Sequence, residues 1–344
     1  MSRWLTGALR TIADWRAWLL AWLLVFGVAL QQSRELWIGP SGRAAAVAEL
    51  MLYWGSWLLF PGSLLLALHA VRHLIKRRPW RVLRSSLGLA VCLGLIWGRF
   101  VEPYQLRVQE TNMSVGCGMR VALVSDLHVG LFMRTGQLDE LVQRLNRLDV
   151  DAILIAGDWT YQPQRDLRGA FAPIAGLRLR PYAVLGNHDE GVSGSPEITE
   201  PLREALGSLG VRLIDGQRVP FGRCELDGAG DYLAGSARRD IGRLMLLDRG
   251  HAPRRVPRVL LAHEPETLAV VPKGFADAVL VGHTHGGQID IRWLTRPILH
   301  RFAGPWVGGA YQLGSTKLFV TTGIGTDHLP LRIGVPPVID ILTL

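Results

Sequence analysis

Three long apolar runs in the first third of the chain restrict its fold more than any other feature. Residues 17–30 and 85–98 form runs of 14 residues, and residues 50–71 form a run of 22 without formal charge. Since about 20 apolar residues cross a bilayer, we predict spanning helices near residues 13–30, 50–71 and 82–98. Pro61-Gly62 predicts a kink in the second helix. A cleavable signal peptide remains an alternative for the first run, and an interfacial or re-entrant hairpin for the third.

Charge and tryptophan separate this region from the rest of the chain. Residues 1–102 hold 12 basic and 4 acidic side chains and nine of the 12 tryptophans, whereas residues 103–344 hold 26 basic and 25 acidic side chains. Tryptophan and arginine around apolar runs are typical of membrane segments with interfacial anchors. Because residues 103–344 are nearly neutral, the overall charge of +9 does not indicate a nucleic-acid partner. We therefore predict a transmembrane region, 1–102, and a soluble domain, 103–344.

Basic residues between the second and third runs predict the orientation of these helices. Positively charged loops stay in the cytoplasm. With three spans, the N-terminus is cytoplasmic and everything after Glu102 is extracytoplasmic. If residues 85–98 do not cross, the soluble domain stays in the cytoplasm instead. The six basic residues of this connection are Arg72, Lys76, Arg77, Arg78, Arg81 and Arg84.

The three cysteines do not form a metal site. Cys92 lies in the third apolar run, and Cys117 and Cys224 are isolated, with no C-x-x-C spacing. A bond between Cys117 and Cys224 is possible in an oxidising compartment. Buried free thiols are the favoured interpretation.

Five short apolar runs in the soluble domain each end in a polar cluster. Such runs predict strands that are buried on both faces, and residues 137–148 and 201–209 have the leucine spacing of helices. We therefore predict an α/β domain. In open α/β sheets the active crevice lies beyond the carboxyl ends of the strands, where all five clusters fall. The clusters begin at Ser125, Gly157, Gly186, His263 and Gly282.

The residue types in these clusters predict a site for two metal ions. Side chains two positions apart in an extended segment point to one face, which applies to Asp126 with His128 and to His283 with His285. Together the clusters offer two Asp, one Asn and four His without a thiolate, which suits Zn, Mn or Fe. Seven ligands are too many for one ion, whereas a bridging carboxylate divides them between two.

The motifs resemble those of the calcineurin-like metallophosphoesterases. They are D-x-H at 126–128, G-D at 157–158, G-N-H-D at 186–189, His263, and G-H-T-H at 282–285. The longer strings at 282–288 and 322–337 are similar to a membrane-associated bacterial phosphodiesterase branch, which includes proteins resembling UDP-diacylglucosamine pyrophosphatases. The resemblance implies a four-layer αββα sandwich for the soluble domain and does not cover the membrane region.

The resemblance also implies a role for each residue of the site. It makes Asp126, His128, Asp158 and His285 the ligands of the first metal, with Asp158 bridging. Asn187, His263 and His283 complete the second metal site. His188 contacts the phosphate and protonates the leaving oxygen. Arg301, His328 and Arg332 are candidates to meet a substrate phosphate, and among them Arg332 lies inside a motif of the branch.

The sequence thus predicts a membrane-anchored phosphohydrolase of the bacterial inner membrane with several spans. A hydroxide that bridges the metals attacks a phosphodiester or pyrophosphate bond, and the expected substrate is lipid-linked, because an anchor raises encounters with molecules confined to the bilayer. One alternative keeps the chemistry but takes a soluble nucleotide or phosphodiester near the membrane. Another is a non-catalytic membrane interaction protein with a structural metal site.

Overall fold

The computed structural model describes residues 14–39, 42–192, 197–248, 256–291, 294–295, 297 and 304–344. Within these, the N-terminal region is helical. The start of the first expected span, residue 13, lies outside the described residues. The helices are α1 (Trp15–Ser33), α2 (Arg43–Gly55), a 3-10 turn (Ser56–Leu58), α3 (Leu59–Ile75) and α4 (Pro79–Phe100).

Two helices among the described residues are long and apolar enough to cross a membrane, where three were expected. They are Arg43–Ile75, with 33 residues, and Pro79–Tyr104, with 26. The first apolar run does form a helix, α1, but its arginine and its two terminal glutamines leave it outside this class. Two of the three expected spans are therefore supported as candidates, and a span near residues 13–30 stays a prediction.

The helix Arg43–Ile75 is interrupted before the position expected from its proline. The interruption is the 3-10 turn Ser56–Leu58, and Pro61 lies in the first turn of α3. There the missing N–H of proline leaves no regular helical hydrogen bond unmade. The change in helix geometry thus precedes Pro61-Gly62 by about one turn.

Two six-stranded sheets form the rest of the fold. The first has the order β1-β14-β2-β4-β6-β7, and the second β12-β13-β11-β10-β9-β8. The strands are β1 (Arg107–Asn112), β2 (Arg120–Val124), β3 (Val129–Gly130), β4 (Ala152–Ala156), β5 (Thr160–Tyr161), β6 (Tyr182–Val184), β7 (Arg212–Leu213), β8 (Arg218–Phe221), β9 (Cys224–Gly228), β10 (Arg258–Leu261), β11 (Ala278–Val281), β12 (Gly309–Leu313), β13 (Thr316–Val320) and β14 (Val338–Thr343). The short strands β3 and β5 pair separately.

Three apolar clusters order these elements into layers. Leu123 and Leu154 of the first sheet share a cluster with Leu261 and Leu280 of the second, so the two sheets pack face to face. The opposite faces are covered by helices, in separate clusters. Helices α5 (Thr135–Leu145), α6 (Leu167–Ala170) and α7 (Thr199–Ser208) accompany the first sheet, and α8 (Ser236–Leu247) accompanies the second.

The predicted helices and the five predicted strands of the soluble region are confirmed. Residues 137–148 correspond to α5 and residues 201–209 to α7, within two to three residues at each end. Each of β2, β4, β6, β10 and β11 ends just before one of the polar clusters. Alternation of short apolar runs with polar turns was therefore a sufficient guide to these elements.

Cys117 and Cys224 form a disulfide, so the favoured interpretation as free thiols is wrong. Their Cα atoms are 5.0 Å apart, which is within the range that a disulfide bridges. The two residues are 107 positions apart in sequence. They meet because the segment before β2 and the start of β9 belong to the two sheets that pack together.

Helix α2 packs on the sheet region, residues 103–344. Leu36, Ala46 and Leu50 share a buried cluster with Phe132 and Tyr161 of the sheet region. The backbone N–H of Trp37 donates to the carbonyl of Pro163 at 2.7 Å. The first part of the long helix Arg43–Ile75 is therefore covered by protein, and its later part is largely exposed.

Candidate metal centre

Parallel strands bring the five polar clusters to one end of the sandwich. In the first sheet β2, β4 and β6 run parallel, and in the second sheet β10 and β11 do. Their carboxyl ends therefore point the same way within each sheet. All seven predicted ligands lie in the loops that follow these strands.

The ligand loops depart from the extended geometry expected of them. Asp126 and His128 have φ values of 53° and 50°, and His283 and His285 of 70° and 52°. Asp158 has 52°. Non-glycine residues rarely adopt this left-handed region, and such strain concentrates at functional sites. The paired side chains thus converge because the backbone turns, and not because it is extended.

The first group of ligands consists of Asp126, His128 and His285, whose candidate ligand atoms lie within 4.8 Å of one another. Nε2 of His128 is 3.0 Å from Nε2 of His285, which is 3.7 Å from Oδ1 of Asp126. The side chain of Ser125 donates to Asp126 Oδ2 and holds its carboxylate. All three groups are buried.

The second group consists of Asp158, His263 and His283, with Asn187 beside it. Nε2 of His263 is 3.1 Å from Oδ1 of Asn187 and 3.2 Å from Nδ1 of His283. Oδ2 of Asp158 lies 3.2 Å from that same His263 nitrogen and 3.5 Å from Nε2 of His128. The Asp158 carboxylate thus stands between the two groups.

Acceptor atoms in this cluster face one another without a donor between them, which indicates that cations belong there. Nδ1 of His263 lies 2.8 Å from the carbonyl oxygen of Ala156, so when the ring is neutral it donates there and Nε2 carries the lone pair. That lone pair faces the oxygens of Asp158 and Asn187, which do not donate a proton in this tautomer and amide orientation. A shared cation satisfies all of these atoms at once, and the residues present fit a pair of metal ions.

The electrostatics of three of the four candidate histidine ligands agree with metal binding. Burial holds the pKa values of His128 and His285 well below the usual value, and it lowers that of His283 to about 4. These rings are therefore neutral, as metal ligands must be. For Asp158, burial acts to raise the pKa, but the charges of His263 and His188 outweigh it and keep the carboxylate ionised in the absence of a metal. Burial acts to lower the pKa of His263, but Asp158 in turn raises it well above its usual value, so a metal ion would displace a proton from that ring.

Asp189 positions the loop that carries the bridging candidate. Its carboxylate accepts the backbone N–H groups of Trp159 and Thr160, at 3.0 Å each, and that of Gly186 at 3.0 Å. It is fully buried and joins two ligand loops. A Cβ on Gly186 would overlap the Asp158 carboxylate, so this position requires glycine.

His188 lies at the edge of both ligand groups. Its backbone N–H donates to Oδ1 of Asp158 at 3.1 Å, and its ring packs edge-on against His128 with centroids 4.9 Å apart. Nε2 of His188 is 3.9 Å from Oδ1 of Asp327. The ring is thus close enough to the candidate ligands to reach a phosphoryl group bound by them.

The geometry corrects the expectation that Arg332 contacts substrate. Its guanidinium is fully buried and donates to the carbonyls of Thr322, Gly325 and Val335. One terminal nitrogen lies 3.3 Å from Nδ1 of His285. Arg332 therefore faces protein and holds a ligand loop. Arg301 lies outside the described residues.

Sequence reasoning missed a hydrogen-bond network that joins the N-terminal region to the neighbourhood of the candidate metal centre. The carboxylate of Glu49, in α2, accepts the hydroxyl of Tyr161 at 2.8 Å and the side-chain amide of Gln162 at 3.0 Å. Oε1 of Glu49 is also 3.0 Å from Nδ1 of His328. The one sequence signal was an acidic residue next to an apolar run.

Comparisons with known proteins agree with this geometry. The family model for calcineurin-like phosphoesterases matches residues 119–287, a span that contains all seven candidate ligands. An uncharacterized metallophosphoesterase of Helicobacter pylori is 28% identical over 274 residues, 76% of this chain and 70% of the relative. Phosphodiesterase YaeI of Escherichia coli is 26% identical over 232 residues, 65% of this chain and 82% of the relative.

One similar protein is described as membrane-bound. A transmembrane protein with metallophosphoesterase domain, from Danio rerio, is 29% identical over 248 residues. The match covers 68% of this chain and 54% of that protein.

Proposed function

This chain is a calcineurin-like metallophosphoesterase, a metal-dependent phosphoester hydrolase, and on that premise we propose that it cleaves a phosphodiester or pyrophosphate bond of a lipid-linked substrate with two metal ions. The observation that carries the choice of substrate is the hydrogen bond between Glu49 and Tyr161. The Tyr161 ring lies edge-on to His128 and His188, with centroids 5.3 Å and 5.0 Å apart. The helix that carries Glu49 and continues as a candidate membrane span therefore supports Tyr161, which lies beside the candidate metal centre.

The length of that helix suits this arrangement. Its first part, α2, packs on the catalytic half, and residues 56–75 remain for the bilayer. Twenty residues at a rise of about 1.5 Å extend roughly 30 Å, the thickness of the hydrocarbon core. The cleft would then lie close to the membrane surface, where a lipid headgroup is present at high local concentration.

The ligands divide between two ions. Asp126, His128 and His285 would hold the first, and the second group, described above, would hold the other, with Asp158 shared. When bound, such a pair would supply Lewis-acid stabilisation of the phosphoryl oxygens and lower the pKa of a coordinated water to about 7.

The chain's own residues orient this chemistry. His263 donates from Nδ1–H to the carbonyl of Ala156 and presents Nε2 to the site, and Asp189 fixes the turn that carries Asp158. His188 would donate a proton to the leaving oxygen, since its ring lies beside both ligand groups. Asp327, 3.9 Å from Nε2, is placed to stabilise the protonated ring.

The catalytic half is proposed to be extracytoplasmic, at the bacterial inner membrane. The six basic residues around the turn from α3 to α4 lie in the last turn of α3, in the connection and in the first turns of α4. If they stay in the cytoplasm, the start of α3 and the end of α4 lie on the opposite side. This orientation does not depend on whether α1 crosses. The disulfide between Cys117 and Cys224 supports it, because such bonds persist in oxidising compartments.

A comparison of substrates tests the proposed reaction. Full-length protein in mixed micelles, loaded with Mn²⁺, is assayed with a phospholipid diester, an isoprenyl pyrophosphate and the water-soluble bis-p-nitrophenyl phosphate. We expect kcat/KM for one lipid-linked substrate to exceed that for the soluble diester by at least tenfold. Equal or higher kcat/KM for the soluble diester would favour a soluble substrate instead.

A second experiment tests the orientation. Alkaline phosphatase and a green fluorescent protein are fused separately to the C-terminus of the full chain. An extracytoplasmic domain gives phosphatase activity without fluorescence. Fluorescence without phosphatase activity would place the domain in the cytoplasm and refute the proposed side.

A further inference from the structure

A pocket lies where the candidate spanning helices meet the catalytic half of the chain. Its volume is about 60 Å³. Side chains of both regions form its walls, among them Tyr53 and Arg99 from the helices and Phe132 and Leu141 from the sheet region. Most of its lining is apolar or aromatic, and Arg99 is its basic residue.

Arg99 is a buried cation without a counter-ion among the described residues. Its side chain belongs to a residue that is 5% exposed, and its Nε has no hydrogen-bond partner in the described part of the chain. The guanidinium lies over the rings of Tyr53, at 4.1 Å from the centroid, and Phe100, at 4.9 Å. Stacking on aromatic faces offsets part of the cost of burying a charge, but it leaves the Nε–H donor unsatisfied.

The carboxylates of this region do not neutralise Arg99. Glu102 is buried and accepts the indole N–H of Trp97 at 3.1 Å. Glu140 lines the pocket but is exposed, so solvent and salt screen its charge. Neither forms an ion pair with Arg99 in the residues that the structure describes. An anion from outside the chain would complete the site.

The position of the pocket indicates where that anion comes from. Large aromatic side chains surround the same end of α3 and α4 and remain exposed: Trp57, Phe60, Trp97 and Tyr104. The rings of Trp57 and Phe60 pack on Phe100, with centroids 4.9 Å and 5.1 Å apart. Aromatic residues at the ends of spanning helices lie at the level of the lipid headgroups.

We propose that this pocket binds the phosphate group of a membrane phospholipid, with Arg99 as the donor. A guanidinium in a fixed stack presents its N–H groups in the planar fork that suits two oxygens of one phosphate. A volume of about 60 Å³ suits the phosphate group alone, so the glycerol backbone and the chains would lie outside the pocket. The inference rests on the membrane placement of the proposed function and not on its hydrolytic chemistry.

The backbone of Gly325 would separate the bound lipid phosphate from the candidate metal centre. Gly325 lines the pocket, and its Cα is so close to the ligand loops that an added Cβ would be 2.8 Å from the carbonyl oxygen of Asp126 and 2.9 Å from Cβ of His128.

Lipid binding to the purified protein tests the proposal. Delipidated full-length protein in dodecyl maltoside is titrated with dioctanoyl phosphatidylglycerol, and the bound fraction is measured by native mass spectrometry. We expect Arg99→Met to weaken binding at least tenfold. The matched control is Arg84→Met, which removes an exposed arginine near the other end of the same helix and should change the affinity less than twofold. Equal affinity of Arg99→Met and wild type would overturn the proposal.

Further arms separate the remaining explanations. Inorganic phosphate that binds wild type as tightly as the lipid would overturn the lipid source. If Arg99→Met does not fold, wild type is cross-linked instead to a phospholipid with a photoreactive headgroup. Labelling of peptides within residues 99–106 or 132–141 is the expected result. Labelling confined to other peptides would overturn the proposed site. Asp158→Asn should bind the lipid like wild type without hydrolysing any substrate. Lipid binding by metal-loaded wild type that hydrolyses none of the assayed substrates would refute the proposed function and leave this inference standing.

Discussion

Replacement of Glu49 by alanine tests whether the N-terminal region is part of the catalytic unit. The residue is 8% exposed, and its carboxylate accepts hydrogen bonds from Tyr161 and Gln162 and contacts His328. Each net hydrogen bond contributes about 1 kcal/mol, and a buried donor that loses its partner costs about 1–3 kcal/mol. Since His328 is largely exposed, its contribution is small. We expect Glu49→Ala to lower the free energy of unfolding by roughly 2–4 kcal/mol.

The assay is denaturant unfolding of the full chain in detergent, followed by metal-dependent hydrolysis under native conditions. Glu49→Gln retains the shape and one acceptor and should lose about half as much stability. Glu35→Ala removes an exposed acidic residue from the loop before α2 and should stay within about 0.5 kcal/mol of wild type. Because Tyr161 packs on His128 and His188, Glu49→Ala should also reduce kcat/KM.

One outcome would refute this reasoning. If Glu49→Ala matched Glu35→Ala in both unfolding free energy and kcat/KM, the contact between α2 and the cleft would have no energetic or functional weight. Loss of stability with unchanged kcat/KM would limit Glu49 to a structural role.

Four further predictions concern the metal centre, the network and the disulfide. Asp158→Ala should abolish hydrolysis and leave fewer than two metals per chain by elemental analysis, whereas two metals in a folded variant would contradict the shared carboxylate. His188→Ala should lower kcat by about 100-fold or more while both metals stay bound, and metal loss would contradict its role as proton donor. The hydrogen bond to Glu49 raises the pKa of His328 above 6.5, so the contribution of His328 to stability is fully present below pH 6.5 and disappears as the pH rises through the raised pKa. The difference in unfolding free energy between wild type and His328→Asn, measured by denaturant unfolding, should therefore shrink as the pH rises. A difference that grows with pH would contradict this prediction. Cys117→Ser should lower the free energy of unfolding by roughly 2–4 kcal/mol. A reductant should lower the unfolding free energy of wild type but not that of this variant. Equal sensitivity of the two proteins to the reductant would argue against the disulfide.

Local patterns were enough to predict much of the catalytic region. The runs 121–124 and 278–281 became buried strands because short apolar stretches bounded by turns have few other stable outcomes. The ligand types followed from the residues themselves, since Asp, Asn and His at strand ends suit a metal. The turns that bring Asp126 and His128 together were not foreseen, because their left-handed backbone is imposed by neighbouring loops such as that of Gly325.

The amino-acid sequence by itself determined the kinds of strand and helix, the candidate ligand set and the separation of an apolar N-terminal region from a nearly neutral remainder. Only the tertiary structure decided that Cys117 pairs with Cys224, that Arg332 holds His285, and that Glu49 lies beside the cleft. Strands and helices follow from residues a few positions apart, which share a face by geometry. The three contacts join residues 107, 47 and 112 positions apart, and such pairs meet only when whole layers pack.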